Sequence, residues 1–267
     1  MRELIPPGGK RKERTEAQKA AAATTGFDYP VAQVGVVGNI TVYYDPSLGA
    51  PGQSLANQML NAVMAPYNDM QTFFGIPGGA ADVIIAPVSG NNDGSGGAYH
   101  YGCNFTAGGV LYVDATFANT TVDPLNLEVG LYVAELSEAF MGPQGGGWGC
   151  EFSNGEGLSR FCSEEETPAG TMNAFATGPT WAQAGFPDWV TQTEQTDRDD
   201  VATGCSIVYI YWMLSLGFKA PKVIQAAGTT LSANYQTLTG KTTAYQDLLA
   251  AVSGVSVTSD NPFSRTG

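Results

Sequence analysis

The feature that most constrains the fold is a change of hydrophobic periodicity at Asp123-Pro124. Before that point, apolar residues alternate with polar ones or form short runs, as in NITVYYDP at 39–46 and DVIIAPV at 82–88. Both patterns are typical of β-strands. After that point, apolar residues recur every three or four positions, which is typical of amphipathic helices. Strands followed by helices predict an α+β fold.

The first half is predicted to contain strands and one long helix. Two further strands are expected in AYHYGC at 98–103 and GGVLYVDA at 108–115, joined by a glycine-bearing loop. Between the earlier strands, apolar residues from Gln53 to Phe74 recur at helical spacing, and Pro66 is expected to kink that helix.

The second half is predicted to be mainly helical. Three glycines stand where helices should stop, at Gly217, Gly228 and Gly240. The expected helices cover 126–141, 154–163, 199–216, 219–227, 229–238 and 242–252.

The charge distribution separates an N-terminal arm from the rest of the chain. The net charge of the 267 residues is −13, but residues 1–25 carry six bases and three acids and are therefore net +3. The remaining 26–267, predicted to be a single domain, carry 22 acids and six bases, or −16. So acidic a body argues against nucleic-acid binding. The basic arm is either a solvated tail or an element that binds the acidic body of a second copy.

The sequence has no apolar run long enough to cross a membrane and no recognisable secretory signal. The expected location is therefore cytoplasmic, or exported without a visible signal. Four cysteines at spacings of 47, 12 and 43 fit no zinc knuckle or CxxC pair. They are either buried thiols or disulfides, and the lack of a signal favours thiols.

Three carboxylates fall on one face of the helix predicted at 126–141. Glu128, Glu135 and Glu138 are separated by seven and three residues, which places them on the same side of an α-helix. A solvated acidic face is the plain interpretation of that spacing. The glycine-rich continuation and the segment NGEGLSR, which carries Glu156, suggest a second interpretation.

The arrangement resembles the gluzincin class of zinc metallopeptidases. In that class an HExxH helix supplies two zinc ligands and a general base, and a glutamate on the next helix supplies the third ligand. The segment AELSE aligns with HExxH, which puts Glu135 at the general-base position and Glu156 at the third ligand. The segments VYYDP, AYHYGC, NGEGLSR and TDRDDVATGC resemble a bacterial family with this gluzincin-like layout and a degenerate zinc motif. The resemblance spans about residues 39 to 252 and implies the fold.

The departures from that pattern exclude a gluzincin zinc site. Alanine at 134 offers no donor atom, and the one histidine, His100, lies far from the motif in the sequence. Catalytic zinc is normally held by histidines with one or two carboxylates. No zinc is therefore expected. The alternative is an all-oxygen set for Ca²⁺ or Mg²⁺ built from Glu135, Glu138, Glu156 and the amide oxygen of Asn154.

Without a cation, crowded carboxylates need neutralising. Shared protons would do this, and so would Arg160, which lies at i+4 from Glu156 and is placed to pair with it.

Other catalytic motifs are absent from the sequence. It contains no GxSxG elbow, no P-loop and no GxGxxG after a strand. A nucleophilic Cys103 would need His100 as its base, but three residues apart on a strand the two side chains point to opposite faces. The sequence therefore predicts a non-catalytic, metallopeptidase-like protein that binds a partner or itself through the basic arm. The alternative is a hydrolase in which Glu135 is the general base.

Overall fold

A computed structural model describes residues 2–7, 16, 20, 26–196 and 198–263. In that part of the chain, the strands are β1 (Arg2–Leu4), β2 (Ala32–Val37), β3 (Ile40–Tyr44), β4 (Ala81–Ala86), β5 (Ala98–His100) and β6 (Val110–Asp114). These six strands form one mixed sheet in the order β1-β5-β6-β4-β3-β2. Strands β3, β4 and β6 are parallel, and β2, β5 and β1 pair antiparallel with their neighbours.

The helix predicted between Gln53 and Phe74 is two helices. Helix α1 (Gly49–Ala62) and helix α2 (Met64–Phe74) meet at Val63. Pro66 therefore lies in the first turn of α2, where its missing N–H costs no intrahelical hydrogen bond. The two helices connect β3 to β4, as a parallel pair requires.

The C-terminal half is helical, as the periodicity predicts. A four-residue helix, α3 (Phe105–Gly108), precedes β6, and seven helices follow that strand in the described part of the chain. They are α4 (Pro124–Gln144), α5 (Ser153–Glu165), α6 (Gly178–Gln183), α7 (Asp200–Ser215), α8 (Ala220–Ala226), α9 (Leu231–Thr239) and α10 (Ala244–Val252). Short 3₁₀ turns lie at Pro46–Leu48 and Asn173–Phe175.

Both faces of the sheet are covered, and the alternation of side chains along each strand assigns residues to the two faces. On β4, Val83 and Ile85 pack into the large core with the helices, whereas Ile84 packs into a smaller core on the opposite face. The smaller core contains tyrosines, among them Tyr99 of β5. Because Tyr99 faces outward, its neighbours Ala98 and His100 face the helices.

The first residues of the chain belong to the sheet. Strand β1 pairs antiparallel with β5, with Arg2 opposite His100 and Leu4 opposite Ala98, and Leu4 is buried. Most of the arm assigned to residues 1–25 falls outside the described residues, so its binding to a second copy stays a prediction.

The four cysteines divide into two classes. Cys103 and Cys150 form a disulfide that closes a separation of 47 residues, whereas Cys162 and Cys205 are buried free thiols. The preference for thiols is therefore wrong for the first pair. In the described part of the chain, no helix combines the length and apolarity needed to cross a membrane.

Candidate functional site

Helix α4 is the structural centre of the candidate site. The Asp123 carboxylate accepts a hydrogen bond from the Asn126 N–H at its start, and Gly145 ends it in the left-handed conformation. The helix packs against β5, β6, α2 and α5, and every residue from 127 to 141 is buried. The plain interpretation of a solvated acidic face is therefore wrong, since Glu128, Glu135 and Glu138 are all 2% exposed or less.

Glu128 is separate from the other two carboxylates of α4. It lies seven residues before Glu135, about 10 Å along the helix axis. Burial, together with the nearby Asp114 carboxylate, raises the pKa of Glu128 well above its ordinary value. Its carboxyl group therefore holds a proton to a higher pH than an exposed glutamate does.

His100 is the residue that joins the site to the sheet. Its Nδ1 lies 2.6 Å from Glu135 Oε2, and both side chains are buried. With Glu135 ionised, the carboxylate only accepts and the Nδ1–H of the ring donates this hydrogen bond. On the other side of the ring, Nε2 lies 3.7 Å from Glu138 Oε2. The imidazole therefore lies between the two carboxylates that helical spacing predicts on one face.

Cys150 lies beside His100 and Glu138. A nitrogen of His100, a carboxylate oxygen of Glu138 and the Cys150 sulfur all lie within 4.8 Å of one another, and all three residues are buried. Among the described residues, these three form the one group of His, Cys, Asp or Glu side chains close enough together to hold a metal ion. Cys150 is bonded to Cys103, which also rules out Cys103 as a free nucleophile.

The glycine-rich turn after α4 brings Cys150 to this position. Gly147 has φ +113°, and a Cβ there would lie 2.5 Å from the Gly228 carbonyl carbon, so only glycine fits. Trp148 anchors the turn by donating from Nε1 to the Ile224 carbonyl at 2.8 Å. Asn154 donates to the Gly147 carbonyl at 3.3 Å and accepts from the Gly155 N–H at 2.9 Å. The predicted ligand Asn154 therefore uses its amide within this turn.

Glu156 forms the ion pair that its spacing from Arg160 predicts. Arg160 Nε lies 3.6 Å from Glu156 Oε2, and both side chains are almost fully buried. Arg160 also donates from an Nη to the Phe175 carbonyl at 2.6 Å. Helix α5, which carries the pair, packs alongside α4.

The structure gives the predicted site residues different neighbours. Glu135 and Glu138 meet through His100, whereas Glu156 and Asn154 are outside the set of three potential ligands. His100 is far from the motif along the sequence, but β5 brings its ring to α4, so the prediction that it lies away from the site is wrong. The available signal for His100 was that it is the one histidine of the sequence and lies in a predicted strand, three residues before Cys103.

The residues present do not fit a gluzincin zinc site. Ala134, where a first ligand would stand, is a fully buried methyl group. The set around His100 has one nitrogen, one carboxylate and one sulfur, and it therefore also differs from the all-oxygen set expected for Ca²⁺ or Mg²⁺.

No family model matches the chain, and no curated protein matches it. A solved structure of native yeast LTA4 hydrolase is distantly similar, with a TM-score of 0.47 and 14% sequence identity. The match covers 81% of this chain and 38% of that chain, so this chain spans well under half the length of the matched structure.

Proposed function

We propose that this chain is a non-catalytic, metallopeptidase-like protein that acts by binding another copy of itself or a partner. The observation that carries the proposal is the burial of His100, Glu135, Glu138 and Glu156, each of which is at most 2% exposed. A general base has to approach its substrate to about 2.6–3.2 Å. Side chains this deeply buried are not placed to meet a peptide that comes from solvent.

The contacts within the site support a structural role for these charges. The His100 ring lies between Glu135 and Glu138, and Arg160 lies beside Glu156. Buried ionisable groups persist in proteins when each has a hydrogen-bond partner or a partner of opposite charge. The Cys103–Cys150 disulfide adds a covalent link between the end of β5 and the turn after α4.

The charge of the molecule supports self-association through the basic arm. Residues 26–267 are net −16 and residues 1–25 are net +3, so the arm of one copy and the body of another attract each other at low ionic strength.

The oligomeric mass in solution tests this proposal. We expect light scattering to give a defined oligomer at low salt that dissociates at high salt. Lys10→Glu with Arg11→Glu should dissociate it at low salt. The control is Lys219→Glu with Lys222→Glu, two exposed lysines outside the arm, which changes the net charge by the same amount and should leave the mass unchanged. Equal effects of the two variants would contradict binding through the arm.

One observation favours the second candidate function, a hydrolase with Glu135 as general base. The 2.6 Å hydrogen bond from His100 to Glu135 is the kind of contact that orients a catalytic carboxylate. Peptide and ester substrates should be assayed with the wild type and with Glu135→Gln. The proposed function predicts no hydrolysis by either protein, and hydrolysis that the substitution abolishes would replace it with the hydrolase.

A further inference from the structure

We infer that reduction of the Cys103–Cys150 disulfide creates a zinc site whose ligands are His100 Nε2, a Glu138 carboxylate oxygen and the Cys150 thiolate. The inference goes beyond the proposed binding role and does not depend on it. Its basis is the position of these three buried residues, whose ligand atoms lie within 4.8 Å of one another.

The donor set suits zinc. Zn²⁺ takes nitrogen, sulfur and carboxylate ligands at about 2.0 to 2.3 Å, usually with tetrahedral geometry, which places any two ligand atoms about 3.4 to 3.7 Å apart. His100 Nε2 and Glu138 Oε2 are already 3.7 Å apart. The Cys150 sulfur lies within 4.8 Å of the other two ligand atoms, so once the disulfide opens it has to approach them by at most about 1 Å. Three protein ligands leave the fourth position to water.

Glu135 prepares His100 for this role. It accepts the Nδ1–H hydrogen bond at 2.6 Å, which leaves Nε2, the nitrogen that faces Glu138, as the basic nitrogen. A carboxylate that orients a histidine in this way is the usual outer partner of a zinc-bound imidazole. Glu135 is therefore a positioning residue rather than a ligand in this site.

The disulfide decides whether the third ligand exists. A sulfur in a disulfide carries no thiolate charge, and the thiolate is the form that binds metal. Cys103 is partly exposed whereas Cys150 is buried, so a reductant reaches the Cys103 sulfur first. Attack there releases Cys150 as a thiolate next to His100 and Glu138.

The reaction balances with a dithiol as the reductant. One thiolate of the dithiol attacks the Cys103 sulfur, forms a mixed disulfide and expels the Cys150 thiolate. The second thiol then attacks the mixed disulfide and releases Cys103, which ends as a thiol, while the dithiol becomes a disulfide. Two electrons pass to the protein. Of the two dithiol protons, one stays on Cys103 and one is released when Zn²⁺ binds Cys150.

A pair of single substitutions tests the inference, because each removes the disulfide but only one removes the ligand. Cys103→Ser keeps the Cys150 thiol, whereas Cys150→Ser lacks it, and both keep Cys162 and Cys205. Zinc binding is measured by competition with a chromophoric chelator, and Co²⁺ substitution reports a sulfur-to-metal charge-transfer band. We expect Cys103→Ser to bind one Zn²⁺ per chain without a reductant and Cys150→Ser to bind none.

The wild type supplies the redox comparison. A trialkylphosphine reduces the disulfide with one water, giving a phosphine oxide and two thiols. We expect the oxidised wild type to bind no zinc and the reduced protein to bind one. In the reduced protein, Glu135→Gln should weaken zinc binding by about 10- to 100-fold, and Glu138→Gln should weaken it further by removing a ligand.

Each other outcome overturns the inference. Equal zinc binding by Cys103→Ser and Cys150→Ser would place the metal elsewhere. A reduced wild type that keeps its circular dichroism but binds no zinc would show that the three groups do not form a site. If Cys103→Ser unfolds, added zinc should restore its fold and should fail to restore Cys150→Ser, since a metal that binds only the native state stabilises it. Failure to restore Cys103→Ser contradicts the inference.

Discussion

Arg160 and Glu156 form a buried ion pair one helical turn apart on α5, with 3.6 Å between Arg160 Nε and Glu156 Oε2. The arginine also hydrogen-bonds the Phe175 carbonyl, which ties α5 to the 3₁₀ turn at Asn173–Phe175. A buried pair of this kind contributes most through the cost of breaking it, because removing one partner leaves the other charge in a medium of low polarity.

The first prediction is that Arg160→Ala lowers the free energy of unfolding by about 3 to 5 kcal/mol. The matched control is Lys241→Ala. Lys241 lies 4.0 Å from Asp247, but its side chain is 64% exposed, and we expect a change of less than about 1 kcal/mol because exposed pairs are screened by water. Urea denaturation of the three proteins measures both values. Similar losses in the two variants would mean that burial does not govern the Arg160 pair.

The second prediction concerns Glu164. Burial and the neighbouring Asp260 carboxylate raise the pKa of Glu164 from 4.5 to about 9, against the hydrogen bond that Tyr211 donates at 2.6 Å. The folded protein therefore holds a proton that the unfolded chain loses near pH 4.5. The stability contributed by this proton is full below about pH 4.5 and is lost as the pH rises through about 9.

Denaturation at pH 5, 7 and 9 tests whether stability falls as the pH rises. The wild type should become steadily less stable across the series, and Glu164→Gln should flatten part of the slope because glutamine cannot ionise. Glu166, whose pKa is raised to about 7 by burial and by Asp69, contributes a slope of the same sign. A Glu164→Gln variant with the full wild-type slope would show that Glu164 is ionised in the folded protein.

The neighbours of a residue were predictable from the sequence where spacing within one helix determines them. Helical periodicity places Glu135 and Glu138 on one face, and the i+4 spacing predicts the Glu156–Arg160 pair, because both depend on one helix. His100 was missed because its contact with Glu135 depends on how β5 enters the sheet. The Cys103–Cys150 bond was missed for the same reason, since tertiary packing decides which cysteines meet.

At the scale of elements, close approach between helices α5 and α7 depends on Gly157. A Cβ on Gly157 would clash with the Ser206 side chain and lie 2.9 Å from the Ile207 backbone nitrogen. Backbone atoms of a packed helix cannot move aside without moving the helix. The absence of a side chain at 157 is therefore what lets the two helices pack this closely.

The third prediction is that Gly157→Ala destabilises the protein by about 1 to 3 kcal/mol through overpacking. Gly130→Ala, also in a helix interior, is the control. Its added methyl group would meet the Met172 sulfur, at the end of a flexible side chain, and Ser163 Oγ at 3.1 Å. The better helix propensity of alanine, about 0.5 to 1 kcal/mol, then offsets much of the cost. Melting temperatures of the two variants should separate clearly, and equal values would contradict this account of the α5–α7 contact.

Most elements were predictable because their periodicity is strong, and the failures have physical causes. The two helices α1 and α2 share one apolar stripe, so the stripe alone cannot reveal the break at Val63. Strand β2 is an edge strand whose Val36 is 61% exposed, and its weak burial leaves a weak pattern. Strand β1 has three residues, too few for any periodicity to show.

At the scale of the whole molecule, the sheet joins the start of the chain to the candidate site. Strand β1 is the outermost strand next to β5, and β5 carries His100 to α4. Gly97, just before β5, has φ +65°, and a Cβ there would clash with the Leu4 carbonyl oxygen. The first residues thus help to hold the strand that carries the histidine in place.

The last prediction is that removing residues 1–7 destabilises the protein and loosens β5. Truncating a buried leucine such as Leu4 costs about 2 to 5 kcal/mol by itself, and β5 would also lose the strand that covers its outer edge. Hydrogen exchange should therefore speed up at 98–100. Exchange at 110–114 is the internal control, because β6 remains paired with β4 and should stay protected. If stability and exchange at 98–100 both match the full chain, β1 does not support the strand that carries His100, and pairing with β6 and contact with α4 are enough to position the histidine.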